Sequence, residues 1–141
     1  MSRVQLALNV VDIDKAVDFY SKLFGAEPAK RQPGYANFAI ADPPLKLVLL
    51  ESASTESGVA GRLNHLGVEV GSTDDVLAAR RRLADEGLAT ADEDEVTCCY
   101  AVQDKVWTDD PDGAPWEIYT VLADVAEQGA TASAVQPACN C

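Results

Sequence analysis

The sequence has one histidine, one methionine and few basic residues: 11 lysines and arginines stand against 23 aspartates and glutamates in 141 residues, a formal charge of −12. A negative surface repels phosphate backbones and anionic lipid, so binding to nucleic acid or to a membrane surface is not expected. No apolar run approaches the roughly 20 residues of a membrane-spanning helix. The N-terminus leads directly into an alternating strand pattern without a basic and apolar leader, which predicts a cytoplasmic protein.

Cysteines are also few: Cys98 and Cys99 are adjacent, and Cys139 and Cys141 lie at the C-terminus. This spacing is not that of a secreted disulfide framework, so we predict free thiols in a reducing compartment. Two neighbouring thiolates can chelate a soft centre such as As(III), Cd(II) or Cu(I), provided that a bulge lets both side chains point the same way. The alternative interpretation is a pair of small buried apolar residues.

An internal repeat is the most informative pattern in the sequence. Residues 5–10 read Gln-Leu-Ala-Leu-Asn-Val, and residues 65–70 read His-Leu-Gly-Val-Glu-Val. Their apolar positions coincide at a constant offset, and both segments alternate with period two, as half-buried strands do. We therefore predict two equivalent strands, one at the start of each half of the chain.

A helical pattern follows each of these strands. In the first half Asp12 is the predicted N-cap, and Gly25 is the predicted residue after the last turn. In the second half the Ser-Thr pair at 72–73 supplies the N-cap, and Gly87 ends the helix. Three consecutive arginines at 80–82 are predicted to form the solvated side of the second helix.

Three shorter strands are expected after each helix, so that each half is a βαβββ module. The predicted strands cover residues 28–32, 34–41, 45–51, 88–93, 97–107 and 115–121. Residues 1–51 form the first predicted module, 52–62 a linker, 63–122 the second module and 123–141 a flexible tail. The expected fold class is α+β, with the two tandem modules forming a curved mixed sheet around a metal site.

The candidate metal ligands are Gln5, His65 and Glu117. Gln5 and His65 occupy the same position in the two repeated strands, so we expect both side chains to point inward at the same depth. Glu117 lies in an apolar and aromatic strand, where a carboxylate is costly to bury unless a cation or hydrogen bonds compensate. Three protein ligands leave open positions on a metal, as catalytic sites require. Imidazole, amide and carboxylate donors suit Fe(II), while Zn(II), Mn(II), Ni(II) and Co(II) remain admissible.

Several segments together resemble a known family. They are residues 5–10, 33–40, 45–50, 63–70, 97–101 and 104–107. On these segments, residues 1–122 resemble the vicinal oxygen chelate superfamily of glyoxalases, bleomycin resistance proteins and dioxygenases. More narrowly, they are similar to the organoarsenical carbon–arsenic lyase (ArsI) family and its cadmium-induced relatives.

The resemblance implies a nonhaem Fe(II)- and O₂-dependent enzyme that cleaves the carbon–arsenic bond of trivalent organoarsenicals, turning methylarsonous acid into arsenite. It also implies that Gln5, His65 and Glu117 bind the iron and that Cys98 and Cys99 bind arsenic. A homodimer is common in this superfamily, and so is admissible here.

Three other functions stay open. A glyoxalase-like metal-dependent isomerase would turn over without O₂. A non-catalytic arsenic- or cadmium-binding protein would use Cys98 and Cys99 but release no cleaved product. A drug-binding resistance protein would need neither metal nor thiols. Tyr100 and Lys105 are candidates for the walls of the pocket, but the sequence assigns them no role.

Overall fold

The computed structural model describes residues 2–52, 62–98 and 100–125, and the chain divides between Leu66 and Gly67 into two compact units. The N-terminal unit contains β1 (Arg3–Val10), α1 (Ile13–Phe24), β2 (Lys30–Gln32), β3 (Tyr35–Ile40), β4 (Leu45–Glu51) and the first half of β5 (Leu63–Glu69). The C-terminal unit contains the rest of β5, α2 (Thr73–Asp85), β6 (Ala91–Cys98), β7 (Ala101–Asp109) and β8 (Pro115–Asp124). Element order is βαβββ twice, which confirms the predicted α+β class. In the part of the chain described here, no helix is long and apolar enough to cross a membrane.

Helix α1 begins and ends where the sequence predicts. The side chain of Asp12 accepts a hydrogen bond from the backbone N–H of Lys15 at 3.1 Å, as an N-cap does. Gly25 ends the helix with φ 63°, a left-handed conformation that glycine adopts without a steric penalty. Ile13 and Val17 point from the helix into the core of the N-terminal unit.

The strands of the N-terminal unit are hydrogen-bonded in the order β2-β3-β4-β1-β5. β1 and β4 are parallel, whereas β2–β3 and β3–β4 are antiparallel, so the sheet of this unit is mixed, as predicted. Phe38, Leu47 and Leu49 are buried beneath α1 and form the centre of the core. This packing fixes the position of β1, which carries Gln5.

The C-terminal unit has the antiparallel order β8-β7-β6, and α2 covers one face of it. Val76 and Ala79 of the helix pack on Val106 of β7. The helix is capped by Ser72, whose hydroxyl accepts from the N–H of Asp75 at 3.2 Å. The opposite face of these three strands is therefore the one available for a functional site.

Several strand boundaries differ from the sequence-based prediction, most clearly those of β6 and β7. β6 runs to Cys98 and β7 starts at Ala101, whereas a strand over residues 97–107 was predicted. Tyr100, with φ 67°, breaks the extended chain between them. The strand predicted over residues 88–93 is also longer than expected, because the acidic residues 92–95 are all part of β6, which contains a bulge between Glu93 and Val96.

The predicted tail begins too early, and one arginine is misassigned. Ala123 and Asp124 belong to β8, because they pair with the first two residues of β7 after a second irregularity. The side chain of Arg80 is only 15% exposed and forms ion pairs with Asp92 and Asp94, so it is not a solvated residue of α2. The greater part of the predicted linker (53–61), residues 126–141 and Cys99 lie outside the described residues.

Candidate functional site

The two residues matched by the repeat meet in the N-terminal unit. Gln5 and His65 are 3% and 1% exposed, and the Nε2 atoms of their side chains lie 3.0 Å apart. The prediction that they point inward at the same depth is confirmed. A buried imidazole beside a buried amide forms a small polar site in an otherwise apolar interior.

The hydrogen bonds of Asn64 determine which nitrogen of His65 carries the proton. Asn64 donates from Nδ2 to Oδ1 of Asn9 at 3.0 Å, so its own Oδ1 is turned toward Nδ1 of His65, 2.8 Å away. An amide oxygen can only accept, so Nδ1 of His65 is the protonated nitrogen. Nε2 of His65 therefore presents a lone pair, which accepts from the amide of Gln5.

This arrangement fits a divalent metal ion. Metal-bound histidines donate their second N–H to a neighbouring acceptor, as Nδ1 of His65 does here. Two ligand atoms at right angles on a metal with bonds of about 2.1 Å lie about 3 Å apart. The side chains of Gln5 and His65 have that separation, and a rotation of the Gln5 amide would turn its oxygen to the position now held by its nitrogen. Glu117 belongs to the C-terminal unit, so coordination by all three residues stays a prediction.

Glu117 already has a cation beside it. The ammonium of Lys105 donates to its Oε2 at 2.7 Å, and the two side chains are 1% and 0% exposed. Lys105 also lies 5.3 Å from the ring centroid of Trp107 and 5.7 Å from that of Tyr119, within cation–π range. A buried glutamate requires a cation or hydrogen bonds to compensate its charge, and the ammonium of Lys105 supplies one such cation in this structure.

Cross-strand register brings Cys98 to the same face as this pair. Residues directly opposite each other in antiparallel strands share a face. Glu117 is opposite Trp107, and Cys98 is opposite Ala101. Every second residue of β7 lies on the same face, and on this face are Ala101, Gln103, Lys105 and Trp107. This face, here called the site face, is defined by Cys98, Ala101, Gln103, Lys105, Trp107, Glu117 and Tyr119.

Most of the site face is buried, and the Oε1 atom of Gln103 is a buried polar atom without a hydrogen-bond partner among the described residues. Cys98 is 5% exposed and Gln103 is 4% exposed. Gln103 donates from Nε2 to the carbonyl of Cys98 at 3.3 Å, while no donor among the described residues reaches its Oε1. Cys98 is disulfide-bonded, in contrast to the predicted free thiol, so it must be reduced before it can bind a metalloid. No group of three or more His, Cys, Asp or Glu side chains is assembled for a metal within residues 2–52, 62–98 and 100–125.

A charged cluster lies behind the site face, between β6, β7 and α2. Asp104 accepts from the hydroxyl of Thr73 at 2.6 Å and from the backbone N–H of Glu95 at 2.8 Å, and these bonds hold the pKa of its carboxyl below the ordinary 3.8. The hydrogen bond to Asp94 and the negative charges of Asp92 and Asp94 raise the pKa of the Arg80 guanidinium above its ordinary value. The bulge in β6 is therefore flanked by two groups whose charged forms are stabilised, the carboxylate of Asp104 and the guanidinium of Arg80.

Sequence patterns did not indicate Asn64, Gln103 or the pairing of Lys105. β7 reads Ala-Val-Gln-Asp-Lys-Val-Trp, with polar residues on both faces, so its periodicity does not reveal which side is buried. Asn64 precedes the predicted ligand His65 directly, and a neighbouring amide is the only local signal for its role.

Comparison with known proteins agrees with this description. Residues 3–118 match the model of the Glyoxalase/Bleomycin resistance protein/Dioxygenase superfamily. The chain is 65% identical over 124 residues to the cadmium-induced protein CadI of Mycobacterium tuberculosis, covering 88% of this chain and 79% of that protein. It is 60% identical over 124 residues to a trivalent organoarsenical cleaving enzyme of Thermomonospora curvata, covering 88% of this chain and 80% of the enzyme.

A solved structure has the same fold at low sequence identity. The Mn(II)-bound glyoxalase of Novosphingobium aromaticivorans superposes with a TM-score of 0.61 at 21% identity, covering 94% of this chain and 44% of that one. The chain thus belongs to the Glyoxalase/Bleomycin resistance protein/Dioxygenase superfamily, within the group of relatives that contains CadI and the trivalent organoarsenical cleaving enzymes.

Proposed function

We propose that this protein is an Fe(II)- and O₂-dependent enzyme that cleaves the carbon–arsenic bond of trivalent organoarsenicals, with methylarsonous acid converted to arsenite. The observation that carries the proposal is the common face of Cys98 and Glu117 in the C-terminal unit, where a thiol that can bind As(III) and a carboxylate that can bind a metal line the same buried surface. The relative that is 60% identical is named for cleaving such compounds, which supports the substrate class.

Cys98 and Cys99 hold the substrate in this proposal. Thiolates are the ligands that a soft, thiophilic As(III) prefers, and two of them replace both hydroxyl groups of methylarsonous acid. The methyl group then stays on arsenic as its third substituent and projects from the protein sulfurs. Gln103 supports this end of the site, because its amide holds the backbone carbonyl of Cys98.

Gln5, His65 and Glu117 hold the metal in this proposal, through the amide oxygen, imidazole Nε2 and a carboxylate oxygen. Asn64 accepts from Nδ1 of His65, so that in the neutral ring Nε2 is the nitrogen that can bind a metal. Fe(II) bound by these residues would supply the one-electron chemistry that triplet O₂ requires to react with a singlet organic molecule. The same donor set admits other divalent metals, so the choice of iron is part of the proposal.

Lys105 and its aromatic neighbours determine the polarity of the site. The Lys105 ammonium donates to Glu117, and the rings of Trp107 and Tyr119 shield it from water. Exclusion of water strengthens every electrostatic interaction in the site and protects a reactive species from side reactions.

The overall conversion balances without a further reductant. Methylarsonous acid and one O₂ together contain the same atoms as arsenous acid and formaldehyde. O₂ is reduced, the methyl carbon is oxidised, and the carbon–arsenic bond is replaced by bonds from oxygen to both atoms. Arsenic remains trivalent throughout, which is why a thiol pair can hold it.

One assay tests the proposal. Reduced protein is loaded with Fe(II) under argon, mixed with methylarsonous acid, and divided between air and argon, and the arsenic species are separated and quantified. We expect arsenite only in the aerobic, iron-loaded sample. Absence of arsenite above the metal-free control would contradict the proposal. Equal turnover under argon would instead favour an isomerase-like, O₂-independent enzyme.

Binding of arsenical without cleavage would support a second function. The relative that is 65% identical is named for its induction by cadmium, which is consistent with a protein that sequesters thiophilic metals. In that case the protein would retain methylarsonous acid unchanged in the aerobic sample. The same experiment therefore distinguishes the two functions.

A further inference from the structure

The position of Cys98 on the site face depends on an irregularity in its own strand. Glu93 is opposite Lys105, and in a regular antiparallel strand the alternation would then place residue 95 opposite Gln103 and residue 97 opposite Ala101. The observed register instead places Val96 opposite Gln103 and Cys98 opposite Ala101. One extra residue has been inserted between Glu93 and Val96, which is a β-bulge.

A one-residue shift reverses the face of every later side chain in a strand. Without the bulge, Thr97 would occupy the site face. Cys98 would then point to the other side of the sheet, where Val106 packs against α2. Glu93 and Cys98 are an odd number of residues apart, and they share a face only because the bulge lies between them.

Specific contacts hold this bulge. Glu95, within the bulge, has φ 50°, a left-handed conformation that is unfavourable for a residue with a Cβ atom. Glu95 has no partner in the register between β6 and β7, and its N–H donates to the side chain of Asp104, which is 6% exposed. The other oxygen of Asp104 accepts from Thr73, the first residue of α2. The extra residue is thus hydrogen-bonded to the helix through one buried carboxylate.

Arg80 of the same helix contacts both β6 at the bulge and β7, the strand paired with it. Its guanidinium donates to the backbone carbonyl of Lys105 at 3.0 Å and to the carboxylate of Asp94, and it forms an ion pair with Asp92. Thr73 and Arg80 are seven residues apart, two turns of α2, and so project from one side of the helix. The helix therefore contacts the bulge at two points.

We propose that Asp104, supported by Thr73 and Arg80, is a positioning residue that maintains the β6 bulge and thereby turns Cys98 toward Glu117. This inference rests on the proposed role of Cys98 in binding arsenic. The side chain of Asp104 lies on the face toward α2, opposite to the site face. Its effect on the substrate would be exerted through the register of β6.

The experiment measures arsenic capture without the metal or the reaction. In a Cys139→Ser/Cys141→Ser background the protein is reduced, freed of metal and titrated with phenylarsine oxide, a trivalent arsenical that binds two thiols. Cys98→Ser sets the level expected of a single thiol, weaker by roughly 10²-fold or more because the chelate is lost. We expect Asp104→Ala to fall to that level. Asp109→Ala, a change of an exposed aspartate in the same strand, should bind as tightly as the background protein.

Deletion of Glu95 separates positioning from general destabilisation. Removing one residue from the bulge restores ordinary alternation between Glu93 and Cys98, so that the bulge is no longer needed. We expect Asp104→Ala combined with this deletion to recover tight binding of phenylarsine oxide. If the combined variant stays weak, or if Asp104→Ala alone binds like the background protein, the proposal is wrong. If Asp104→Ala does not fold, Asp104→Asn and Thr73→Val are compared in the same titration, with the same requirement for rescue.

Failure of this inference differs from failure of the proposed function. If Cys98→Ser binds phenylarsine oxide as tightly as the background protein, Cys98 does not bind arsenic and the proposed function loses its substrate site. If only the Cys98 variant is weak, the arsenic site stands and the positioning role of Asp104 is rejected.

Discussion

The ammonium of Lys105 lies 2.7 Å from Oε2 of Glu117, and neither side chain has meaningful contact with solvent. Burying such a pair is tolerable because each charge compensates the other, whereas removal of one partner leaves an isolated charge in the interior. The structure thus places a positive charge of its own at a predicted metal ligand.

Replacing Lys105 with methionine is expected to destabilise the metal-free protein by about 3–5 kcal/mol, because Glu117 would be left as an uncompensated buried charge. Since a metal ion can supply the missing charge, Fe(II) added under argon should raise the melting temperature of this variant more than that of the parent. Chemical and thermal unfolding with and without metal measure both effects. Lys22→Met is the matched control, because Lys22 pairs with Asp18 on the surface and its loss should change stability by less than about 0.5 kcal/mol. A Lys105 variant as stable as that control would contradict the prediction.

Asn64→Leu is expected to weaken Fe(II) binding by roughly 10–100-fold, the usual effect of losing a partner of a metal-bound histidine. The variant removes the acceptor at Nδ1 of His65 and lets the ring adopt either tautomer. Competition with a coloured chelator under argon gives the affinity. Asn64→Asp keeps an acceptor at Nδ1 and loses only the donor to Asn9, so it should bind more tightly than Asn64→Leu. Equal affinities in Asn64→Leu and the parent would show that the tautomer is set elsewhere.

Substitutions of Cys98 and Glu117, which both lie on the site face, should each weaken a different binding property. Cys98→Ser is expected to weaken arsenical capture by roughly 10²-fold or more, the loss of a two-point attachment, and to leave Fe(II) binding intact. Glu117→Gln should weaken Fe(II) binding and leave arsenical capture intact. Phenylarsine oxide titration and a chelator competition measure the two properties separately. Parallel losses of both properties in both variants would argue against separate metal and arsenic sites.

Acid should remove the contribution of Asp104 to stability. Its pKa in the folded protein is lowered, chiefly by the hydroxyl of Thr73 and then by the N–H of Glu95. A lowered pKa means that the contribution is complete above the ordinary value of 3.8 and is lost as the pH falls through the lower folded value. Asp104→Asn should therefore be less stable than the parent at pH 7, by about 1.5–3 kcal/mol for hydrogen bonds to a charged group. The difference should shrink below that pH range.

Urea unfolding at neutral and acidic pH tests this sign, with Asp109→Asn as the exposed control. A constant difference between Asp104→Asn and the parent at every pH would show that the charge of Asp104 is not what stabilises the fold. No pH-dependent difference is expected for the control.

The repeat and the helix ends could be predicted because they depend on residues close in sequence. Asp12 and Gly25 act within a single turn of α1, and alternation alone defines β1 and β5. The contact between Gln5 and His65 followed from the equivalence of the two strands. The ends of α1 and the two strands depend on local patterns, whereas the contact between Gln5 and His65, 60 residues apart, was predicted from the repeat.

The remaining site residues could not be predicted because they depend on register between strands. Nothing in composition indicates that Lys105 reaches Glu117, since their contact requires the alignment of β7 with β8. One extra residue in β6 determines to which face of the sheet Cys98 points, and no periodic pattern in the sequence reveals this extra residue. Arg80 appeared as one of three similar arginines, and only the packing of α2 distinguishes it from its neighbours.

The amide of Gln5 gives the predicted metal centre an unusual property. A primary amide offers a hydrogen-bond donor at one end and an acceptor at the other, and a half-turn exchanges them. In the structure its N–H donates to the lone pair on His65 Nε2. After a half-turn the same side chain would present an oxygen to a cation beside that nitrogen. A second histidine bearing its lone pair at this point would face His65 acceptor to acceptor and would require the ion to relieve the repulsion. Glutamine at this position would instead let the chain fold before the predicted ion binds, so that folding and metal loading would be independent events.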